Sequence, residues 1–296
     1  MSAAAHRAGL VAIVGRPNVG KSTLLNHLVG QKISITSRKP QTTRHRITGI
    51  LTRPEAQLVF VDTPGFQKEH RTALNRLMNR SVRQALEGVD VVLWVIEASR
   101  FDGRDEALLE LLPKRTPVIL VLNKTDLVKD KRALLPFMQK MSEQHAFAAL
   151  VPISAERGHQ VDELVGAVVP LLPEGARQYE EDEVTTLPER FLATELVREK
   201  LFRLLGDELP YATAVEIERF ETTPTLRRIH IAIVVDKATQ KPIIIGKDGE
   251  KLKSIATQAR KDMEQLFGGK VFLEIWVRVK SGWADDHAAL KRMGYD

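Results

Sequence analysis

A chain of 296 residues has room for two domains, and 43% apolar with 28% charged residues is the balance of a soluble globular protein. The absence of cysteine excludes disulfides, thiolate metal sites and a cysteine nucleophile, and fits a reducing cytoplasm. A formal charge of +6 is only mildly basic and names no partner; MSAAAHRAGL lacks the pattern of a secretory signal, and no apolar run approaches the roughly 20 residues that span a bilayer.

From Leu10 onward, short apolar and β-branched runs alternate with helical patterns. The runs LVAIVG, LVFVD, VVLWVI, VILVLN and ALVPIS, each bounded by glycine, proline or a turn residue, predict a mainly parallel sheet with crossover helices on both faces. Between the second and third runs, Leu74, Leu77, Met78, Val82, Ala85, Leu86 and Val89 recur at three- and four-residue spacing, the apolar stripe of an amphipathic helix. This α/β pattern fills residues 1–172. Residues 173–188, PEGARQYEEDEVTTLP, carry flanking prolines and an acidic cluster and predict an exposed linker. Residues 189–296 follow another order: a helix (ERFLATELVREKLFRLL), two strands (ATAVEIERF and RRIHIAIVV), a glycine loop, a second helix (EKLKSIATQARKDMEQLF) and a last strand (KVFLEIWVRV). That order predicts a compact α+β domain.

The first functional signal is GRPNVGKS, Gly15 to Ser22, which fits GxxxxGK[ST] between an apolar strand and a helix with Leu24, Leu25 and Leu28 on one face. Successive backbone N–H groups and the helix N-terminus converge there on one anion. Lys21 is expected to pair with the β and γ phosphates, and the Ser22 hydroxyl to ligate Mg²⁺. NKTD, Asn123 to Asp126, ends a later strand. A carboxylate at Asp126 can accept from both N1–H and the exocyclic amine of guanine, two donors that adenine lacks, so GTP is favoured over ATP. DTPG, Asp62 to Gly65, ends the strand LVFVD, where Asp62 can hold the metal through water and the Gly65 N–H can sense the γ-phosphate.

In order and spacing these motifs, with SAE from Ser154 to Glu156, resemble the P-loop GTPases over residues 10–172. The resemblance implies a nucleotide site of Gly15, Asn18, Val19, Gly20, Lys21, Ser22, Thr23, Asp62, Gly65, Asn123, Lys124, Asp126, Ser154 and Ala155. Its metal ligands would be Ser22, Asp62 and a threonine of QTTRH, for which Thr43 is assigned and Thr42 competes. Where Ras-like members place a water-orienting glutamine after DxxG, this chain has Phe66. Intrinsic hydrolysis is therefore expected to be slow, and no side chain is named as catalytic base.

The second signal is Gly246-Lys247-Asp248-Gly249, which follows an isoleucine run and opens a helix. In this element order it resembles the GxxG loop of type II KH domains, which clamps the backbone of single-stranded RNA. Between Lys237 and Lys261 stand seven basic residues against two acids, an excess suited to phosphate contacts. The alternative is a solvated lysine-rich helix face after a turn. The resemblance implies RNA contacts from Ile244, Ile245, Gly246, Lys247, Asp248, Gly249, Lys251 and Lys253, with the isoleucine side packed under the bases.

A P-loop GTPase joined to a C-terminal KH domain is similar to the Era family of bacterial ribosome-assembly GTPases, over nearly the whole chain. QTTRH, DTPG followed by an aromatic, and IIIGKDGEKLK are close to that family's versions. The family implies binding of the 3′ end of 16S ribosomal RNA in 30S subunit maturation, GTP and GDP with Mg²⁺ as ligands, and a cytoplasmic monomer. It also admits a peripheral membrane association, for which no amphipathic anchor stands out. A rival reading keeps the RNA binding and makes the nucleotide domain a structural element only. A GTPase of tRNA modification would need a cysteine absent here. The eight histidines have no paired-ligand spacing, the basic segment from Lys32 to Arg46 reads as a switch or an RNA contact, and Trp276, alternating with apolar residues, is expected in a core.

Overall fold

The computed structural model describes residues 6–40, 42–66, 73–206 and 208–283, with residues 73–75 described by their backbone alone. Gln41 and the side chain of Leu74 lie outside the described residues. The chain divides into two compact units. One comprises Met1–Ser34, Thr43–Arg71 and Asn75–Thr186, and the other Ile35–Thr42, Thr72–Leu74 and Leu187–Asp296.

In the first unit the elements run β1 (Arg7–Val14), α1 (Lys21–Val29), β2 (Ile47–Thr52), β3 (Ala56–Asp62), α2 (Ala73–Leu86), β4 (Val91–Glu97), α3 (Gly103–Leu109), β5 (Val118–Asn123), α4 (Leu134–Ser142), β6 (Ala149–Pro152) and α5 (Val161–Val168). The strands form one sheet in the order β2-β3-β1-β4-β5-β6. Every neighbouring pair is parallel except β2 with β3. The five predicted strands are all present. Strand β2 was not predicted, because Gly49 and two threonines dilute its apolar pattern. Gly49 is needed there: a Cβ would stand 2.6 Å from the Leu25 side chain of α1. Strand alternation turns Ala12, Val14, Val92, Trp94 and Leu120 toward Val82, Leu86, Leu108 and Met141 of α2, α3 and α4. The alternate residues Val11, Ile13 and Phe60 are just as buried, on the face that α1 covers. A sheet buried on both faces reads as continuous apolar runs, which is why the strands were legible.

The acidic segment after α5 keeps most of its side chains in solvent, yet its backbone is tied to this unit. Ile50 N donates to Val184 O at 2.9 Å, and Ala8 N to Pro173 O at 3.2 Å. Gln57, fully buried, accepts from Gln178 N and Tyr179 N and donates to Tyr179 O. Charge and proline content describe these side chains and say nothing of such backbone partners.

The second unit holds α6 (Glu189–Leu204), β7 (Thr213–Thr222), β8 (Leu226–Val235), α7 (Lys241–Ile245), α8 (Glu250–Phe267) and β9 (Lys270–Val279). Its sheet runs β7-β8-β9, with β7 antiparallel and β9 parallel to β8. Val215, Ile229, Ile231, Ile233, Val271 and Val277 point into a core shared with Leu196, Val197 and Leu201 of α6 and Ile255, Ala259 and Met263 of α8. Trp276 falls on the opposite face, half-buried and 6.4 Å from the His230 ring, so its expected core position is corrected. The period-2 alternation of β9 gives the inward places to Leu273, Ile275 and Val277.

Helix α6 is buried nearly all round, including Glu195, Arg198, Glu199 and Lys200. Arg198 makes a two-pronged bond to Glu195, both arms 2.7 Å. Glu199 takes Lys200 at 3.0 Å, Arg203 at 2.9 Å and the backbone N–H of Thr36 at 3.1 Å. Ile35–Thr42 thus folds as part of this unit, and Lys39 Nζ and the Tyr211 hydroxyl hold it further, on Leu205 O and Pro40 O respectively. Buried charges persist only when paired, and each of these has a partner.

Candidate functional site

The loop between β1 and α1 closes over its own lysine. Lys21 is 5% exposed, and its Nζ donates to Gly15 O at 3.1 Å and Arg16 O at 3.0 Å. Burial lowers its pKa to about 8, partly offset by the nearby Asp62 carboxylate. No side chain caps α1, so the N–H groups of its first turn are available to an anion. Asn18 takes a left-handed φ of 65°, Val19 is fully buried, and Thr23 lies half-buried in the first turn. A Cβ on Gly65 would stand 2.5 Å from Pro17 N, so only glycine lets the DTPG turn lie against this loop.

Ser22, Thr43 and Asp62 meet beside Lys21. Ser22 Oγ donates to Asp62 Oδ2 at 2.7 Å and lies 2.8 Å from Thr43 Oγ1, while Ser34 Oγ donates to the same carboxylate oxygen at 3.1 Å. Thr42, the competing residue, bonds instead to Ser37 and Lys39 O. Asp62 is fully buried, its pKa is raised by desolvation, and its Oδ1 has no hydrogen-bond partner. An orphaned carboxylate oxygen beside two hydroxyls fits a small hard cation that takes its remaining ligands from phosphate and water. Among the described residues there is no cluster of His, Cys, Asp and Glu such as a zinc site requires.

The residues expected to read the base converge at the ends of β5 and β6. Asn123 Nδ2 donates to Val19 O at 2.7 Å, and its Oδ1 accepts from Ala155 N at 2.9 Å, joining three motifs through one side chain. Asp126 accepts from Ser154 Oγ at 2.6 Å. Lys124, in a left-handed turn with φ 66°, pairs with Glu97 at 2.5 Å. Exchanging Asp126 for Asn replaces an acceptor with a donor. Titration of both nucleotides is expected to show weakened GTP binding and a shift toward xanthosine nucleotides; unchanged GTP affinity would remove Asp126 from the guanine site.

Phe66, 7% exposed, packs with Val14, Val82 and Trp94 in the sheet core, and its N–H donates to Gly15 O at 3.3 Å. It is an anchor for the DTPG turn with no polar group to hold water. Arg16 was given no role by the sequence, yet it is 5% exposed and ion-paired with Glu97 at 2.8 Å and Asp105 at 3.2 Å. Only a charged residue inside the loop hinted at it.

In the second unit, Gly246, Asp248 and Gly249 all have positive φ, of 76°, 52° and 79°, and Gly249 precedes α8 without any side-chain cap. Gly246 N and Gly249 N bond within the loop, to Pro242 O and Gly246 O, while the uncapped first turn of α8 is the feature suited to an anion. Lys247, Asp248 and Lys253 are exposed, while Lys251 and Ile245 are half-buried. Ile244 departs from the expected contact set, being fully buried in the core; the surface isoleucine is Ile243, 51% exposed. The isoleucine run forms α7, whose helical period turns Ile244 inward.

A GxxxxGK[ST] loop after β1, DTPG at the end of β3 and NKTD at the end of β5, followed by a GxxG loop in α-β-β-α-α-β order, define a P-loop GTPase with a C-terminal KH domain. The family description "50S ribosome-binding GTPase" matches residues 10–124, and that of the KH domain residues 208–284. The GTPase Era of Nitrosomonas eutropha is 60% identical over all 296 residues, covering 100% of both chains. That of Chromobacterium violaceum is 59% identical, covering 97% of each. The chain therefore belongs to the Era family of GTPases, and its enzymatic activity is that of a GTPase. Two crystal structures superpose with a TM-score of 0.94 at 41% identity, over 98% of this chain and 99% of theirs. One is a tyrosine-to-alanine variant of Aquifex aeolicus Era bound to GDP and aluminium fluoride; the other is Era in complex with MgGDPNP and nucleotides 1506–1542 of 16S ribosomal RNA.

Proposed function

We propose that this chain is a guanine-nucleotide switch that binds the 3′ region of 16S ribosomal RNA and acts in maturation of the 30S subunit, as a monomer in the cytoplasm. Residues 1–172 bind GTP or GDP with Mg²⁺, residues 173–188 link, and residues 189–296 bind RNA. The observation that carries this reading is the meeting of Thr43 Oγ1, at 2.8 Å, and Asp62 Oδ2, at 2.7 Å, on the Ser22 hydroxyl beside a buried lysine. The RNA-bound relative supports the choice of partner.

Ser22, Thr43 and Asp62 would hold Mg²⁺, which supplies neutralisation of phosphate charge. Lys21 exchanges its two carbonyl partners for phosphate oxygens, and the guanine edge exchanges Ser154 as a partner of Asp126. Thr43 also marks the switch: the residues just before it, Ile35–Thr42, fold with the C-terminal unit, so a pull on Thr43 by the γ-phosphate is transmitted along the chain to α6. Phe66 faces the core and Arg16 is held by two carboxylates, leaving backbone groups or a partner to orient the attacking water. Turnover is accordingly slow alone and faster with small ribosomal subunits. Measuring GTP hydrolysis with and without those subunits tests this; equal, negligible turnover in both would favour a structural nucleotide domain.

A further inference from the structure

Arg16 is the second residue of the phosphate loop, and its guanidinium lies away from the phosphate side, among carboxylates. Its Nη2 donates to Glu97 Oε2 at 2.8 Å, and its Nε stands 3.2 Å from Asp105 Oδ1, paired by charge without hydrogen-bond alignment. The second oxygen of Glu97 takes Lys124 Nζ at 2.5 Å, and Arg100 approaches Glu97 from the surface at 3.6 Å. Asp105 is completely buried; its other oxygen accepts from Asp102 N and completes the cap of α3.

One carboxylate at the end of β4 therefore ties the phosphate loop to the NKTD loop. Lys124 sits in a left-handed turn that a lysine adopts at a cost, and the bond to Glu97 holds it there. That turn sets the spacing between Asn123 and Asp126. Asp105 is fully buried beside Arg16, so losing Arg16 removes its nearest countercharge.

We propose that Arg16 is a positioning residue for guanine recognition: acting through Glu97, it fixes Lys124 and so aims Asp126 at the base, in addition to bracing its own loop. The proposal rests on NKTD being the base-reading loop. It separates Arg16 from a residue that merely stiffens the phosphate loop, because stiffening serves every nucleoside diphosphate alike whereas aiming Asp126 serves the 2-amino group of guanine.

The test titrates GDP and IDP, which lacks that amino group, against the full-length protein and its Arg16→Met, Arg16→Lys, Glu97→Gln and Arg16→Met/Glu97→Gln variants. Arg16→Met is expected to weaken GDP by about tenfold and to reduce the GDP-over-IDP preference by at least about threefold, a range typical of residues that orient a contact group. Glu97→Gln is expected to reduce that preference likewise, and the double variant to lose no more GDP-over-IDP preference than Glu97→Gln, since both act on it by one path. Arg16→Lys keeps the charge, reaches a single carboxylate and falls between. Equal weakening of GDP and IDP, or additive losses of preference in the double variant, would overturn the proposal. If Arg16→Met does not fold, Arg16→Lys and Glu97→Gln carry the same comparison. Asp126→Asn in the same titration must collapse the wild-type preference for GDP; if it does not, the base-loop reading fails as well.

Discussion

Replacing Lys21 by alanine is expected to weaken GTP binding by about 100-fold or more without unfolding the protein. The lysine places one ammonium among phosphate oxygens, and charge-assisted bonds of that kind contribute about 1.5–3 kcal/mol each, with 1.4 kcal/mol per tenfold in affinity. In the structure the same ammonium is buried and bonded to two carbonyls, and its pKa is lowered to about 8, chiefly by desolvation. Near neutral pH that strain opposes folding, because the unfolded lysine keeps its proton at no such cost. The nucleotide-free variant is therefore expected to melt no lower than the wild type, and the rise in Tm that GTP gives the wild type is expected to vanish. Normal binding and hydrolysis by Lys21→Ala would refute the phosphate-loop assignment.

The second large effect is expected in RNA binding from the GxxG loop. A Cβ at Gly246 would stand 2.7 Å from Lys251 Cβ and 3.1 Å from its backbone N, and φ 76° with ψ 178° is a region that only glycine adopts readily. Gly246→Asp thus distorts the loop as well as adding charge. Gly249→Asp is the cleaner change. Nothing lies within 4 Å of a Cβ there, its φ of 79° and ψ of 3° approach a conformation that aspartate tolerates, and the carboxylate would then face the phosphate. Loss of one or two charge-assisted contacts predicts about 10- to 150-fold weaker RNA binding, with GTP affinity kept. Filter binding of a 16S 3′-end oligonucleotide alongside GTP titration separates the two. Intact RNA binding by both variants would move the RNA site elsewhere.

Both loops were legible because each must show glycine where the backbone turns left-handed or another chain passes close, and because each interrupts an apolar run. Strand β2 was hidden by Gly49, a residue whose purpose is the close approach of α1 and whose effect on the pattern is to break it. The burial of Glu195, Arg198, Glu199 and Lys200 on α6 was not legible, because the partners that permit it, among them Thr36 N and Asp262, are distant in sequence. For Ile244 and Ile243 the difficulty was phase, since three consecutive isoleucines fit a strand or a helical turn and the two assign opposite residues to the surface. Among the metal-type residues, Thr42 and Thr43 are adjacent and chemically identical, so distance to Ser22 had to separate them.

A γ-phosphate sensed at Thr43 is expected to change the affinity of the C-terminal unit for RNA. The direct measurement is the affinity of the intact protein for the 16S 3′-end oligonucleotide in GTP, in GDP and without nucleotide, with GTP affinity measured in turn with and without the RNA. Coupling of about 1–3 kcal/mol predicts RNA affinities about 5- to 150-fold apart between GTP and GDP, and the same factor in the relative affinities for the two nucleotides when RNA is bound. One RNA affinity in all three conditions, with nucleotide binding indifferent to RNA, would contradict the switch and leave an RNA-binding domain attached to an uncoupled nucleotide domain.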